Sequence, residues 1–73
     1  MTTIQLIRSR VAELMRNENR QADSLYISRQ LFDGIRADRK DGFLVAPIAQ
    51  DEWLLMGMRV FIVQNDPDHL EVV

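Results

Sequence analysis

The single histidine of the chain, His69, follows Asp66-Pro67-Asp68, and two carboxylates beside an imidazole are the raw material of a metal site. Such a site needs convergent ligands, and a further donor would have to come from Asp51 or Glu52. Asp and Pro are equally the residues that build turns. The D-P-D-H run therefore reads as a turn, with no metal assigned. Asp51-Glu52 is the one adjacent pair of carboxylates. Neighbouring side chains on a strand point to opposite faces, so the pair does not converge on one substrate as acid and base. A solvated loop accounts for it. Ser9, Ser24 and Ser28 have no histidine close in sequence to activate a hydroxyl. The three glycines are isolated, which leaves no phosphate-cradling loop. Without cysteine there is neither a disulfide nor a thiolate zinc site. These residues offer no catalytic, cofactor-binding or metal-ligating set. The expectation is a protein that is not an enzyme and takes no cofactor.

The arginines are the stronger signal. Residues 1–40 carry eight cations against five anions, and residues 41–73 carry one cation, Arg59, against six anions. The chain is thus a dipole along its sequence, +3 followed by −5. Eight of the nine cations are Arg, whose planar fork suits bidentate contact with carboxylate or phosphate. An isoelectric point of about 5.2 and few aromatics, none interleaved with arginine, set the chain apart from nucleic-acid-binding domains, which are basic. An acidic protein surface is the better partner and nucleic acid the weaker one. The plain alternative is a solvated helical face, because Arg is a good helix former. Arg8, Arg16 and Arg20 are the candidates on the first helix and just beyond it. Trp53 and Arg59 join them, because Trp, Met and Arg are enriched at protein interfaces. Trp53, Met56 and Met58 form either an exposed patch or part of the core, where methionine fills gaps well.

The elements that must position these residues follow from hydrophobic spacing. Ile4, Ile7, Val11 and Leu14 recur at three and four residues, so residues 3–18 are predicted to form a helix capped by Thr2 or Thr3. It would pack on a sheet, or supply a homodimer seam. Residues 17–23 are a polar break. Residues 24–28 alternate as a short strand, with a helix starting after Asp23 as the rival; the strand makes Ser28 a sensible N-cap for a helix over 29–39. That helix buries Leu31, Phe32 and Ile35. Gly34 weakens it and suggests that another element comes close, and Gly42 is the expected stop. Residues 43–48 read as a strand that Pro47 confines to an edge or turn. Residues 53–63 hold nine apolar side chains in eleven positions and read as one long central strand. Its even positions would all face the core, with Gly57 a bulge or a point of close backbone approach. Residues 65–68 turn, and 69–73 alternate as a last edge strand.

The order of these pieces resembles a segment of the axial domain in tailed-phage major capsid proteins. There a strand leads into a helix ending near Gly, and an apolar "L-x-G-x-x-V" strand runs into an acidic, Pro-containing turn. The matching residues are Leu25-Tyr26-Ile27-Ser28, Gly42, Leu55, Gly57, Val60 and Pro67, within residues 24–68. A capsid subunit also has a long helix, an extended loop and an N-terminal arm, which this chain lacks. The resemblance therefore implies a phage lineage and a compact α/β core, not a shell-forming subunit, and transfers no functional residue.

At 73 residues the chain is expected to be one domain, residues 1–73, and a domain of this size is marginal unless its core is good or it associates. The expected fold is α+β: two helices packed on a small, mostly antiparallel sheet of three to four strands. The longest apolar run is about half the ~20 residues a membrane helix needs, and the N-terminus lacks a signal-peptide pattern. The expected location is the cytoplasm of a host cell or a virion. The expected function is a small phage-type protein working by protein–protein contact, as a virion or assembly accessory. Its partner would be a second copy of the chain or an acidic host or virion protein. Alternatives are a host-takeover factor that modulates a host enzyme or transcription machinery, and a nucleic-acid-binding module.

Overall fold

A computed structural model describes residues 2–73. It contains two helices, five strands and one short 3-10 turn. In chain order these are α1 (Thr3–Glu18), β1 (Ser24–Ser28), α2 (Arg29–Ala37), the 3-10 turn (Gly42–Leu44), β2 (Val45–Ala49), β3 (Glu52–Leu55), β4 (Met58–Val63) and β5 (Leu70–Val72). The strands form one sheet in the order β2-β3-β4-β1-β5. Only the β1–β4 pair is parallel; β2–β3, β3–β4 and β1–β5 are antiparallel. The fold is α+β, as expected, with five strands in place of three or four.

The first helix begins where the capping chemistry starts it. The Gln5 N–H donates to Thr2 Oγ1 (3.1 Å) and the Thr2 N–H donates to Gln5 Oε1 (2.9 Å), a reciprocal capping box. It ends at Asn19, which takes a left-handed conformation (φ 52°) while its N–H donates to the Met15 carbonyl; asparagine tolerates that region. Ile4 and Ile7 are buried and Val11 packs against the core, so the heptad-like stripe faces this protein's own sheet. Ser28 ends β1 and caps α2 at once. Its hydroxyl accepts from the Leu31 N–H (3.1 Å) and donates to the Pro67 carbonyl (2.7 Å). Both capacities of the hydroxyl are spent on joining the strand, the helix and the 64–68 turn.

The core holds Ile4 and Ile7 of α1, Leu25 and Ile27 of β1, Phe32 and Ile35 of α2, and Leu55, Met58 and Val60 of the β3–β4 hairpin. Alternation along β1 sends Leu25 and Ile27 to the helices and leaves Tyr26 on the other face, where its ring stacks on Phe61 at 5.0 Å. Neither helix covers that second face.

The expected long strand is the main correction. Residues 53–63 are two strands joined by Met56-Gly57, both at positive φ (50° and 83°). Positive φ at both central residues is what a two-residue type I′ hairpin requires. The usual signature is Asn-Gly or Asp-Gly, and Met at the first position hides the turn inside an apolar run. The even-position rule holds along β4, where Met58, Val60 and Ile62 face the core, and fails in β3 and the turn, where odd Leu55 is buried and Met56 is exposed. Leu55 and Met58 face each other across the turn and are both buried, while Leu54 lies opposite Arg59. Two other glycines also differ from expectation. Nothing lies within 4 Å of a side chain added at Gly34, so no element approaches there. The helix containing it ends at Ala37, before Gly42, which starts the 3-10 turn; a Cβ at Gly42 would sit 2.8 Å from the Arg36 carbonyl oxygen. Pro47 lies in edge strand β2, and the last strand is the opposite edge, both as expected.

Candidate functional site

Two concave surfaces carry three of the five candidate residues, and the β3–β4 hairpin contributes to both. The first is a groove of about 490 Å³ between the C-terminal half of α1 and the tip of the hairpin. Its walls include Val11, Met15, Ala22, Met56 and Met58, and Arg8 is its only charged lining residue among the described residues. The α1 positions 8, 11, 12 and 15 fall on one helical face by their spacing. Met56 enters because the hairpin turn lifts it out of the sheet: it is 36% exposed, whereas Met58, two residues on, is buried at 2%. Arg8 has no ion-pair partner among the described residues.

The second is a cleft of about 330 Å³ where β3 and β4 part. The two strands pair only at Leu54↔Arg59 and Leu55↔Met58. Toward Glu52 and Ile62 no pair joins them. Trp53 explains the divergence. Its indole lies 5.1 Å from the Phe32 ring, centroid to centroid, and the Arg36 guanidinium sits over both rings at 5.4 and 5.8 Å. A half-buried indole against an aromatic ring and under a cation is worth more than one extra ladder hydrogen bond, roughly 1 kcal/mol net. The start of β3 is thus tied to α2 through the Trp53 side chain. The β2–β3 register also slips between Pro47 and Ala49, which bends the same end of the hairpin. Arg29, Asp51, Glu52 and Arg59 line the cleft, and none has an ion-pair partner among the described residues.

The structure thus divides the five residues singled out from sequence. Trp53 and Arg59 share the cleft, and Arg8 rims the groove. Arg16 is exposed on the last part of α1, and Arg20 beyond it leans on Glu18 at 3.6 Å. Neither lines either surface. Trp53, Met56 and Met58 are not one exposed patch: the indole is half-buried in the cleft, Met56 is exposed in the groove, and Met58 is a core residue that reaches the groove floor. Sequence reading missed Arg29, Asp51 and Glu52 as cleft residues and Arg36 as the cation above Trp53. No sequence signal marks Arg36, since its partner lies across the sheet–helix boundary.

The D-P-D-H segment is a turn. The Asp68 N–H donates to Asp66 Oδ1 (3.0 Å) and the His69 N–H to the Asp66 carbonyl. The imidazole lies 3.8 Å from Asp66 and 3.5 Å from Glu71. Among the described residues no group of three or more His, Cys, Asp or Glu side chains is placed to hold a metal ion. Likewise no helix among them is long and apolar enough to cross a membrane. Comparison with known protein families, curated proteins and solved structures finds no match for this chain.

Proposed function

We propose that this chain is a non-enzymatic module that works by protein–protein contact, and that the groove between α1 and the hairpin tip receives a partner segment with an apolar anchor and an acidic flank. The observation that supports this is the lining: methionine and small apolar side chains with one charged rim residue, Arg8. Methionine surfaces adapt to the shape of an incoming side chain, and an unpaired arginine at the rim selects a carboxylate, bidentate where geometry allows. Within that reading, the role of virion or assembly accessory rests on the capsid-like order of residues 24–68. The host-directed alternative, modulation of a host enzyme or its transcription machinery, draws on the unpaired Arg8. Direct nucleic-acid binding has less support, because the arginines are dispersed: Arg36 is engaged with Trp53, Phe32 and Asp33, and Arg20 with Glu18.

The test uses wild type, Arg8→Glu and Arg16→Glu. An exposed charge reversal should change stability by no more than about 0.5 kcal/mol, so all three should melt together. A stoichiometric partner, or a homo-oligomer seen by light scattering, should be retained by wild type and Arg16→Glu and lost with Arg8→Glu. A complex equally strong in all three would exclude the groove. Binding to mixed-sequence DNA or RNA that collapses with rising salt would favour the nucleic-acid reading instead.

A further inference from the structure

The parted end of the hairpin leaves Ile62 of β4 without a ladder partner on the β3 side. In β4 the odd residues turn their backbone toward β1: the Arg59 N–H donates to the Asp23 carbonyl at 3.0 Å, and the parallel ladder runs on through Phe61 and Val63. The even residues turn the other way, because successive residues of a strand alternate and Met58 pairs with Leu55 of β3. The last β3–β4 pair is Leu54↔Arg59. Beyond it the backbone of Ile62 points toward the cleft, and no ladder pair joins Ile62 to β3. The opposite wall is Trp53, whose indole packs at a tilt against Phe32.

We infer that this cleft is a strand-addition site: an extended segment of a partner protein enters between β3 and β4 and pairs with β4 at Ile62. The chemistry of the cleft selects a strand over a helix or a small charged ligand. The Ile62 N–H and carbonyl on one wall call for a complementary main chain. Ile62 and Trp53 on the helix side call for an apolar side chain there. The four unpaired charges, Arg29 and Arg59 against Asp51 and Glu52, balance, which suits the neutral backbone of a peptide and not an ion of one sign. This site is separate from the Arg8 groove, so either can fail without the other.

Amide hydrogen exchange on the ¹⁵N-labelled protein tests it. In the free protein the Ile62 amide should exchange at least about tenfold faster than those of Phe61 and Val63, which lie in the β1 ladder. The peptide used is a capped alternating Thr/Val heptamer. At saturation it should slow Ile62 at least about tenfold and change the emission of Trp53, the only tryptophan, because a ladder hydrogen bond has formed beside the indole. An analogue N-methylated on alternate amides should not bind. Since the walls are charge-balanced, affinity should change less than about twofold on adding salt. Arg8→Glu should alter none of this. An Ile62 amide already as protected as Phe61, equal binding of both peptides, or no binding of the heptamer at millimolar concentration would each overturn the assignment.

Discussion

At its tip the β3–β4 hairpin is fully laddered, with Leu55 opposite Met58 and Leu54 opposite Arg59, whereas toward Glu52 and Ile62 the same two strands carry no pairs. The tip is governed by backbone chemistry. A two-residue turn with positive φ at Met56 and Gly57 sets the register, and the buried Leu55–Met58 pair holds it. The other end is governed by side-chain packing. Trp53 takes the aromatic shelf of Phe32 under Arg36, and the ladder is given up there. One supersecondary unit thus yields two surfaces of different character. The tip lifts a methionine into an apolar groove rimmed by one cation, while the parted end opens main chain beside a charge-balanced wall.

The largest effect should come from Phe32→Ala, which removes the fully buried shelf. Loss of about 3–5 kcal/mol is expected in urea unfolding, with a red shift of Trp53 emission. A small loss with unchanged emission would mean that Phe32 does not hold the indole. Next comes the turn. Gly57→Val forces a β-branched residue to φ 83° with nothing nearby to clash, so the cost should be the backbone term alone, about 1–2 kcal/mol. Gly34→Ala is the matched control: it sits in a helix with open space around it and should stabilise by about 0.5–1 kcal/mol. If Gly57→Val is silent, the tip is not set by its turn. The most local effect sharpens the comparison most. Trp53→Val should let β3 close on β4, giving an Ile62 amide protected about tenfold more in the free protein, or roughly 1.4 kcal/mol. Continued fast exchange at Ile62 would move the cause of the divergence to the irregularity between Pro47 and Ala49.

Local signals carried much of this architecture. Thr2, Ile4, Ile7 and Val11 announce α1 through a cap and a stripe, and Ser28 announces the strand-to-helix junction because one hydroxyl can serve both. Pro47 marks an edge because it cannot donate to a ladder. The hairpin escaped notice because Met56 is an unusual first residue for its turn, and eleven mostly apolar positions look continuous when only parity is read. The candidate surfaces were less legible. Arg8 was visible as an arginine on a helix, but its groove needs Met56, 48 positions away in a chain of 73 residues. Arg29, Asp51 and Glu52 carry no motif at all.

From sequence alone come the α+β class, the charge dipole, the absence of thiol chemistry, the limits of α1 and the start of α2 after Ser28, because caps, periodicity and composition act over a few residues. The five-stranded order, the parallel β1–β4 pair and the parting of β3 from β4 were decided only by the tertiary structure. Each depends on which distant side chains share a core, and for this protein the deciding contact is the indole of Trp53 on the ring of Phe32.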